Sequence, residues 1–285
     1  MQIPIESLNL LVLNVGLAKH QGDWNWKDVC SPFTRIYYVK EGGARIHFRD
    51  KVCELTPGNL YIIPAYTMHS YECHGPFTHY YLHVYEGFKT EWNVFDYYDF
   101  PTEVKNCENC ERLFELMCQA LPEAQLPESN PLSYDNQSTF SSYVHRYHEL
   151  PLYQKMELRG IILYLFSRFM KHATPKMWTT DKRMVKVLSY INENICTDID
   201  LTELSDMAFV TKTYLIRLFK KHFGISPLQY INKKKVERAQ LLLITEDMLV
   251  KEVAAALGIL DYSYFTRLFK KTTGKTPQEY RETMK

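Results

Sequence analysis

The chain has 285 residues, 46% of them hydrophobic and 24% charged, which suits two ordinary globular domains better than one. No run of about eighteen apolar residues exists, which excludes a membrane-spanning helix. The seven cysteines are an odd number scattered over a long chain, a usage that fits reduced thiols better than a disulfide framework.

The N-terminal stretch MQIPIESLNLLVLNVG has no basic leader and no clear small-residue cleavage site, so a cytoplasmic location is expected. Residues 10–85 read as strands. Leu10–Val15, Phe33–Val39, Ala44–Phe48, Asn59–Ile63 and Phe77–Tyr85 are β-branched and aromatic runs, cut by Glu41-Gly42-Gly43 and Pro57-Gly58. Short strands at this spacing suggest an antiparallel barrel or jelly roll. The alternation His79, Tyr81, His83 puts three polar aromatic side chains on one strand face, which in a small barrel lines a cavity. A metal-binding reading would need a cluster such as H-x-H followed by a carboxylate, and His69-Ser70-Tyr71-Glu72 lacks the second histidine. No metal or other cofactor is therefore expected.

Residues 104–172 switch to helical spacing. Cys110, Leu113, Phe114 and Met117 fall at i, i+3, i+4, i+7, and a second helix is expected around Phe140–Tyr147. Cys107 and Cys110 stand as C-x2-C without a second pair at zinc spacing, so two half-buried thiols are expected. Ile161–Phe166 is apolar nearly all round, which calls for two covers. With Met156, Phe169 and Met170 it defines a helix, Met156–Met170, expected to bury one face in its own domain and the other in a homodimer. Residues 174–181, with Pro175 and paired threonines, read as a linker between a first domain (1–173) and a second (182–285).

The second domain is expected to be all helical, opening on the stripe Met184, Val187, Leu188, Ile191. It is also basic: from Met177 onward there are 18 Lys+Arg against 13 Asp+Glu, a balance of +5, within a chain of net +1. That asymmetry points mildly to nucleic acid. An internal repeat points more strongly. Residues 214–230, YLIRLFKKHFGISPLQY, and 264–280, YFTRLFKKTTGKTPQEY, align without gaps at an offset of fifty and agree at nine positions. Each is preceded by a short amphipathic segment, LTELSDMAF at 201–209 and VKEVAAALG at 250–258.

Each copy has the makings of a helix-turn-helix. Leu204 and Ala208, and Val253 and Leu257, give the first helix an inward face. Thr211 and Asp261 are placed to cap the second helix. Leu215, Leu218, Phe219 and their counterparts Phe265, Leu268, Phe269 point inward at i, i+3, i+4. The opposite face carries Lys212, Thr213, Ile216, Arg217 and Lys220 in one copy and Tyr262, Ser263, Thr266, Arg267 and Lys270 in the other. Gly224 and Gly274 suit the positive φ that ends a helix, and Ser226-Pro227 and Thr276-Pro277 restart one. Recurrence of Arg217 and Arg267 at one exposed position marks them as DNA contacts, because a guanidinium fork matches guanine O6/N7. Lys220 and Lys270 are better placed for phosphates. The run Lys233-Lys234-Lys235 reads first as a solvated charge run; its place on the connecting helix gives one or two of these lysines a second reading, as contacts to the DNA backbone.

Over residues 181–285 the two copies and the helix joining them closely resemble the double helix-turn-helix domain of AraC-type (AraC/XylS) transcription factors. The resemblance is sharpest over Gly258-Ile259-Leu260-Asp261-Tyr262-Ser263-Tyr264-Phe265 and Arg267-Leu268-Phe269-Lys270-Lys271. Ile259-Leu260 departs from the Phe-then-polar pair frequent in that family. The resemblance assigns Thr213, Ile216, Ser263 and Thr266 to base readers. The first half resembles, less sharply, the cupin-type sensing domain of that family, and by that resemblance Lys40, Tyr71, Tyr81 and His83 are candidate effector contacts. The implied fold is α+β: an antiparallel β-barrel with a helical dimerisation segment, then an all-α double helix-turn-helix domain. The implied function is a non-enzymatic, homodimeric, sequence-specific DNA-binding regulator under a small-molecule effector, with RNA polymerase a further partner and no membrane association. The rivals are a regulator without an effector and a cupin-type metalloenzyme with a helical appendage.

Overall fold

The computed structural model describes residues 5, 8, 10–86, 94–134, 137–246 and 248–283. Packing divides the chain into two compact units. One is sheet-rich and runs from the start of the first strand to Thr174, apart from a short excursion. The other is helical and takes Pro175 onward together with that excursion, which ends at Tyr98.

The sheet-rich unit is built mainly on β1 (Leu10–Gln21), β2 (Thr34–Gly42), β3 (Ala44–His47), β4 (Val52–Leu55), β5 (Leu60–Ile63), β6 (Ser70–Glu72) and β7 (Pro76–Glu86). The larger sheet runs β1-β7-β2-β5 and is extended by the short strand Glu103–Val104, while β4-β3-β6 form a second sheet. All of these pairs are antiparallel. Inward residues of both sheets share one core, with Tyr37, Val39, Tyr61 and Phe77 from the first meeting Ile46, Leu55 and Tyr71 from the second. Strands β4 and β6 were not expected from the sequence. Both are short, and β4 has one buried residue, Leu55, so neither writes a clear alternation.

Helices α2 (Cys110–Ala120), α3 (Pro131–Tyr134), α4 (Gln137–Glu149) and α5 (Leu152–Met170) follow. The α2 stripe buries Cys110, Phe114 and Met117, with Phe114 against the rings of Tyr38 and Tyr80. Cys107 and Cys110, expected as thiols, are joined by a disulfide. Asn109, at φ 64°, turns the chain between them into the start of α2. In α5, Leu158, Ile161, Ile162, Leu165, Phe166 and Phe169 are all buried within this unit. The exposed apolar residues are instead Leu152, Tyr153, Met156 and Tyr164. No helix among the described residues is long and apolar enough to cross a membrane.

The helical unit contains α6 (Lys182–Glu193), α7 (Leu201–Met207), α8 (Lys212–Phe223), α9 (Pro227–Thr245), α10 (Val250–Ala256), α11 (Tyr262–Thr273) and α12 (Pro277–Thr283). Its first core unites Met184, Val187, Leu188 and Ile191 of α6 with Leu204, Leu215, Phe219 and Tyr230. Two members come from outside the expected domain. Trp178 lies in a 3-10 turn of the stretch expected as a linker, yet it is buried. Tyr97 belongs to α1 (Val94–Tyr97), is 1% exposed, and stacks obliquely on Trp178 at 4.8 Å. A planar aromatic ring of this size fills a hole that aliphatic neighbours leave, so the segment is part of this core.

Candidate nucleic-acid interface and effector cavity

The two copies fold alike because each carries its own start and stop instructions. The Thr211 hydroxyl accepts from the Tyr214 N–H and the Asp261 carboxylate from the Tyr264 N–H, which caps α8 and α11. Each helix ends on a glycine with positive φ, 72° at Gly224 and 82° at Gly274. Reciprocal capping boxes then start α9 (Ser226 with Gln229) and α12 (Thr276 with Glu279).

Between cap and stop the burial patterns repeat. Leu215 and Phe219 are fully buried, as are Phe265 and Phe269. Lys212, Thr213, Arg217 and Lys220 are exposed with Ile216 half-buried; Tyr262, Ser263, Arg267 and Lys270 are exposed with Thr266 half-buried. All ten residues named from the sequence therefore lie on the outward faces of α8 and α11. Arg217, Lys220, Arg267 and Lys270 make no hydrogen bond or ion pair among the described residues, so their donors remain available. Thr266 is partly engaged, its hydroxyl donating to the Tyr262 carbonyl at 3.0 Å. The paired tyrosines brace the helices: Tyr214 lies under the Arg183 guanidinium at 5.6 Å, and the Tyr264 hydroxyl accepts from Asn232.

The lysine run on α9 divides. Lys233 is exposed. Lys234 is drawn inward by Asp96, 2.8 Å away, and Glu237, 3.3 Å away. Burial works against its charge, but these two carboxylates outweigh it and hold the pKa well above the usual lysine value. Lys235 is 4% exposed and donates to the carbonyls of Thr197 and Leu257, and burial lowers its pKa. Two of the three lysines are thus turned to internal partners.

In the sheet-rich unit a cavity of about 200 Å³ is lined by His20, Trp24, Tyr37, His79, Tyr81 and His83, with Gln125, Leu126 and Tyr134 among the residues at its side. Tyr81 and His83 were named from the sequence. His20, Trp24 and Tyr37 were not, since they reach the cavity from β1, its following loop and β2, strands whose pairing with β7 is a long-range fact. Tyr71 sits behind the wall, its hydroxyl shared with Tyr37 (2.6 Å) and His69 (2.7 Å) and its ring stacked 4.0 Å from Trp24. Lys40 lies away from the cavity, paired with Glu111 of α2 at 2.7 Å and over the Tyr80 ring. The backbone of Gly16 meets Tyr81 so closely that an added Cβ would stand 2.4 Å from its hydroxyl oxygen.

Burial depresses the pKa of His79 and His83 far below the histidine norm, and lowers that of His20 against the pull of Asp23. These imidazoles are neutral at pH 7. Ring nitrogens Nε2 of His20 and Nδ1 of His79 and His83 are buried without a hydrogen-bond partner among the described residues. Among the described residues no group of three His, Cys, Asp or Glu is arranged to hold a metal; the histidines stack instead, His20 on His79 at 5.4 Å and His79 on Phe77 at 4.6 Å.

Comparison with known proteins matches residues 204–283 to a helix-turn-helix domain family and residues 15–132 to the AraC-like ligand binding domain family. The chain is 37% identical over 95 residues to the uncharacterized HTH-type transcriptional regulator YijO of Escherichia coli (strain K12), covering 33% of this chain and 34% of YijO. It is 31% identical over 102 residues to the arabinose operon regulatory protein of the same organism, 35% of each chain. These matches span about a third of either relative. In structure the chain is similar to ToxT from Vibrio cholerae O395, with a TM-score of 0.51, 14% identity, and coverage of 97% and 98% of the two chains, a likeness of fold.

Proposed function

The chain belongs to the AraC-type family of transcriptional regulators, and from that premise we propose that it binds double-stranded DNA sequence-specifically through α8 and α11 and answers to a small molecule held in the sheet-rich unit. The observation that carries the DNA reading is the matched exposure of Arg217 and Arg267, each without a partner among the described residues and on a capped helix whose other face is buried. Arg217 and Arg267 act as base readers, with Thr213, Ile216, Ser263 and Thr266 beside them; Ile216 offers only an apolar contact to a thymine methyl. Lys212, Tyr262, Lys220 and Lys270 hold the phosphates and set the register.

The cavity supports effector binding through its neutral histidines and stacked rings, with Tyr81 and His83 as contacts. Effector binding would shift the population between two arrangements that differ in DNA affinity. A homodimer through the exposed apolar residues of α5, Leu152, Tyr153, Met156 and Tyr164, completes the reading, as does a cytoplasmic, non-catalytic role. A footprint on a selected operator tests it. One protomer should protect two adjacent major-groove segments about one turn, ~34 Å, apart, because the 19 residues of α9 form a rod of ~28 Å at ~1.5 Å per residue. Protection of a single segment, unaffected by Arg267→Ala, would refute it.

A further inference from the structure

The helix α9 is not all that joins the two helix-turn-helix copies. Near its middle Lys235, 4% exposed, extends its ammonium between two carbonyls, Thr197 and Leu257, each at 2.7 Å. Thr197 lies in the loop after α6, on the side of the first copy. Leu257 is the C-cap of α10, in the second copy, so its carbonyl is one that the helix end leaves unpaired and electronegative. Next to it Gly258 adopts φ +67°, and an added Cβ would stand 2.7 Å from the Thr197 carbonyl carbon and 2.9 Å from the Cys196 oxygen. Both obstacles are backbone, so neither yields by rotating a side chain. The α6–α7 loop and the turn of the second copy are therefore in direct backbone contact, with a buried cation bridging them.

Among the described residues the first copy shows no such brace at its own turn. The residue with positive φ there is Phe209, φ 53°, which is 88% exposed with its ring near Lys186. The asymmetry makes sense if the brace serves the relation between the copies rather than the folding of either.

We propose that Lys235 and Gly258 are positioning residues that fix the distance and angle between the recognition helices α8 and α11, and so set the spacing of the two DNA segments the protein accepts. This rests on the reading that both helices contact DNA. Without the brace, the second copy is held to the first through α9, so bending and torsion of that helix carry directly into the relation of the two recognition helices. One base pair inserted between the segments moves them by ~3.4 Å and turns them by ~35°, a mismatch that a braced pair resists and a loosely joined pair follows.

The test uses the full chain and a selected operator in which the two segments are separated by the native spacing or by one base pair more or fewer. Wild type should lose roughly tenfold or more in affinity at either altered spacing, the scale of a single mispaired contact. Lys235→Met, which keeps the stem but removes both hydrogen bonds, should bind the native spacing more weakly and lose less than about threefold on altering it. Gly258→Ala should flatten the profile in the same way; if it fails to fold, Lys235→Met decides alone. Val187→Ala, a core change in α6, controls for stability: it should lower the melting temperature and leave the spacing profile sharp. A Lys235→Met profile as sharp as wild type overturns the brace. A wild-type profile that is itself flat overturns the two-helix reading beneath it.

Discussion

Replacing Tyr97 with alanine should loosen the helical unit, although residue 97 stands far upstream of the repeats. The ring is 1% exposed and shares a core with Trp178, Met184, Val187 and Leu188. Truncating a buried aromatic side chain to alanine costs about 3–5 kcal/mol through lost transfer energy and the cavity left behind. Asp96 beside it grips Lys234 at 2.8 Å, and displacement of the segment would leave that buried lysine with Glu237 alone. At ~1.4 kcal/mol per decade, protection of the α6 amides against hydrogen exchange should fall by about a hundredfold to a few thousandfold. Amides of β7 should keep their protection, because the ring is not part of the core between the sheets. The measurement is native-state exchange on the full chain, reading Lys182–Glu193 against Pro76–Glu86. Unchanged α6 protection, or a loss confined to the strands, would refute the assignment of this segment to the helical core.

Lys220→Ala should weaken binding to all DNA sequences alike and reduce the slope of log affinity against log salt by about one; a sequence-selective loss would show that it reads bases. The double change Leu152→Glu and Met156→Glu, at positions 73% and 66% exposed, should give a folded monomer by sedimentation, whereas a dimer that survives it would place the interface elsewhere. Acid should destabilise the sheet-rich unit. Burial, with Arg35 nearby, lowers the His69 pKa from 6.5 to about 3, so between those values the unfolded chain binds the proton and the folded chain does not. The stabilisation is present above pH 6.5 and is lost as pH falls, by about 2 kcal/mol at pH 5 from His69 alone; a melting temperature flat from pH 7 to 5 would contradict it.

The double helix-turn-helix was legible in the sequence because its instructions are local. Caps, inward stripes, glycine stops and proline restarts all fall within twenty residues, 211–230 and 261–280, and repetition separates them from chance. The outward faces carrying Arg217 and Arg267 followed from the same periodicity. What the sequence concealed depends on partners distant in the chain. Lys233-Lys234-Lys235 reads as a solvated run until Asp96 and the carbonyls of Thr197 and Leu257 are brought to it. Tyr97 reads as part of the first domain, and Trp178 as linker, until both close one core. Helix α5 looked too apolar for a single cover, yet Leu165 and Phe169 are both buried inside its own unit, which leaves the exposed apolar residues nearer its start. In the cavity, alternation along β7 gave Tyr81 and His83, whereas Lys40 falls on the outer side with Glu111.

Selection of binding sites from randomised operators, run on wild type, Arg217→Ala and Arg267→Ala, tests the DNA reading most directly. Each variant should lose roughly 1–3 kcal/mol of specific binding and relax its preference at one base pair, a different one for each, the two lying about one helical turn apart. Sequence preferences identical to wild type in both variants would contradict base reading by the paired helices.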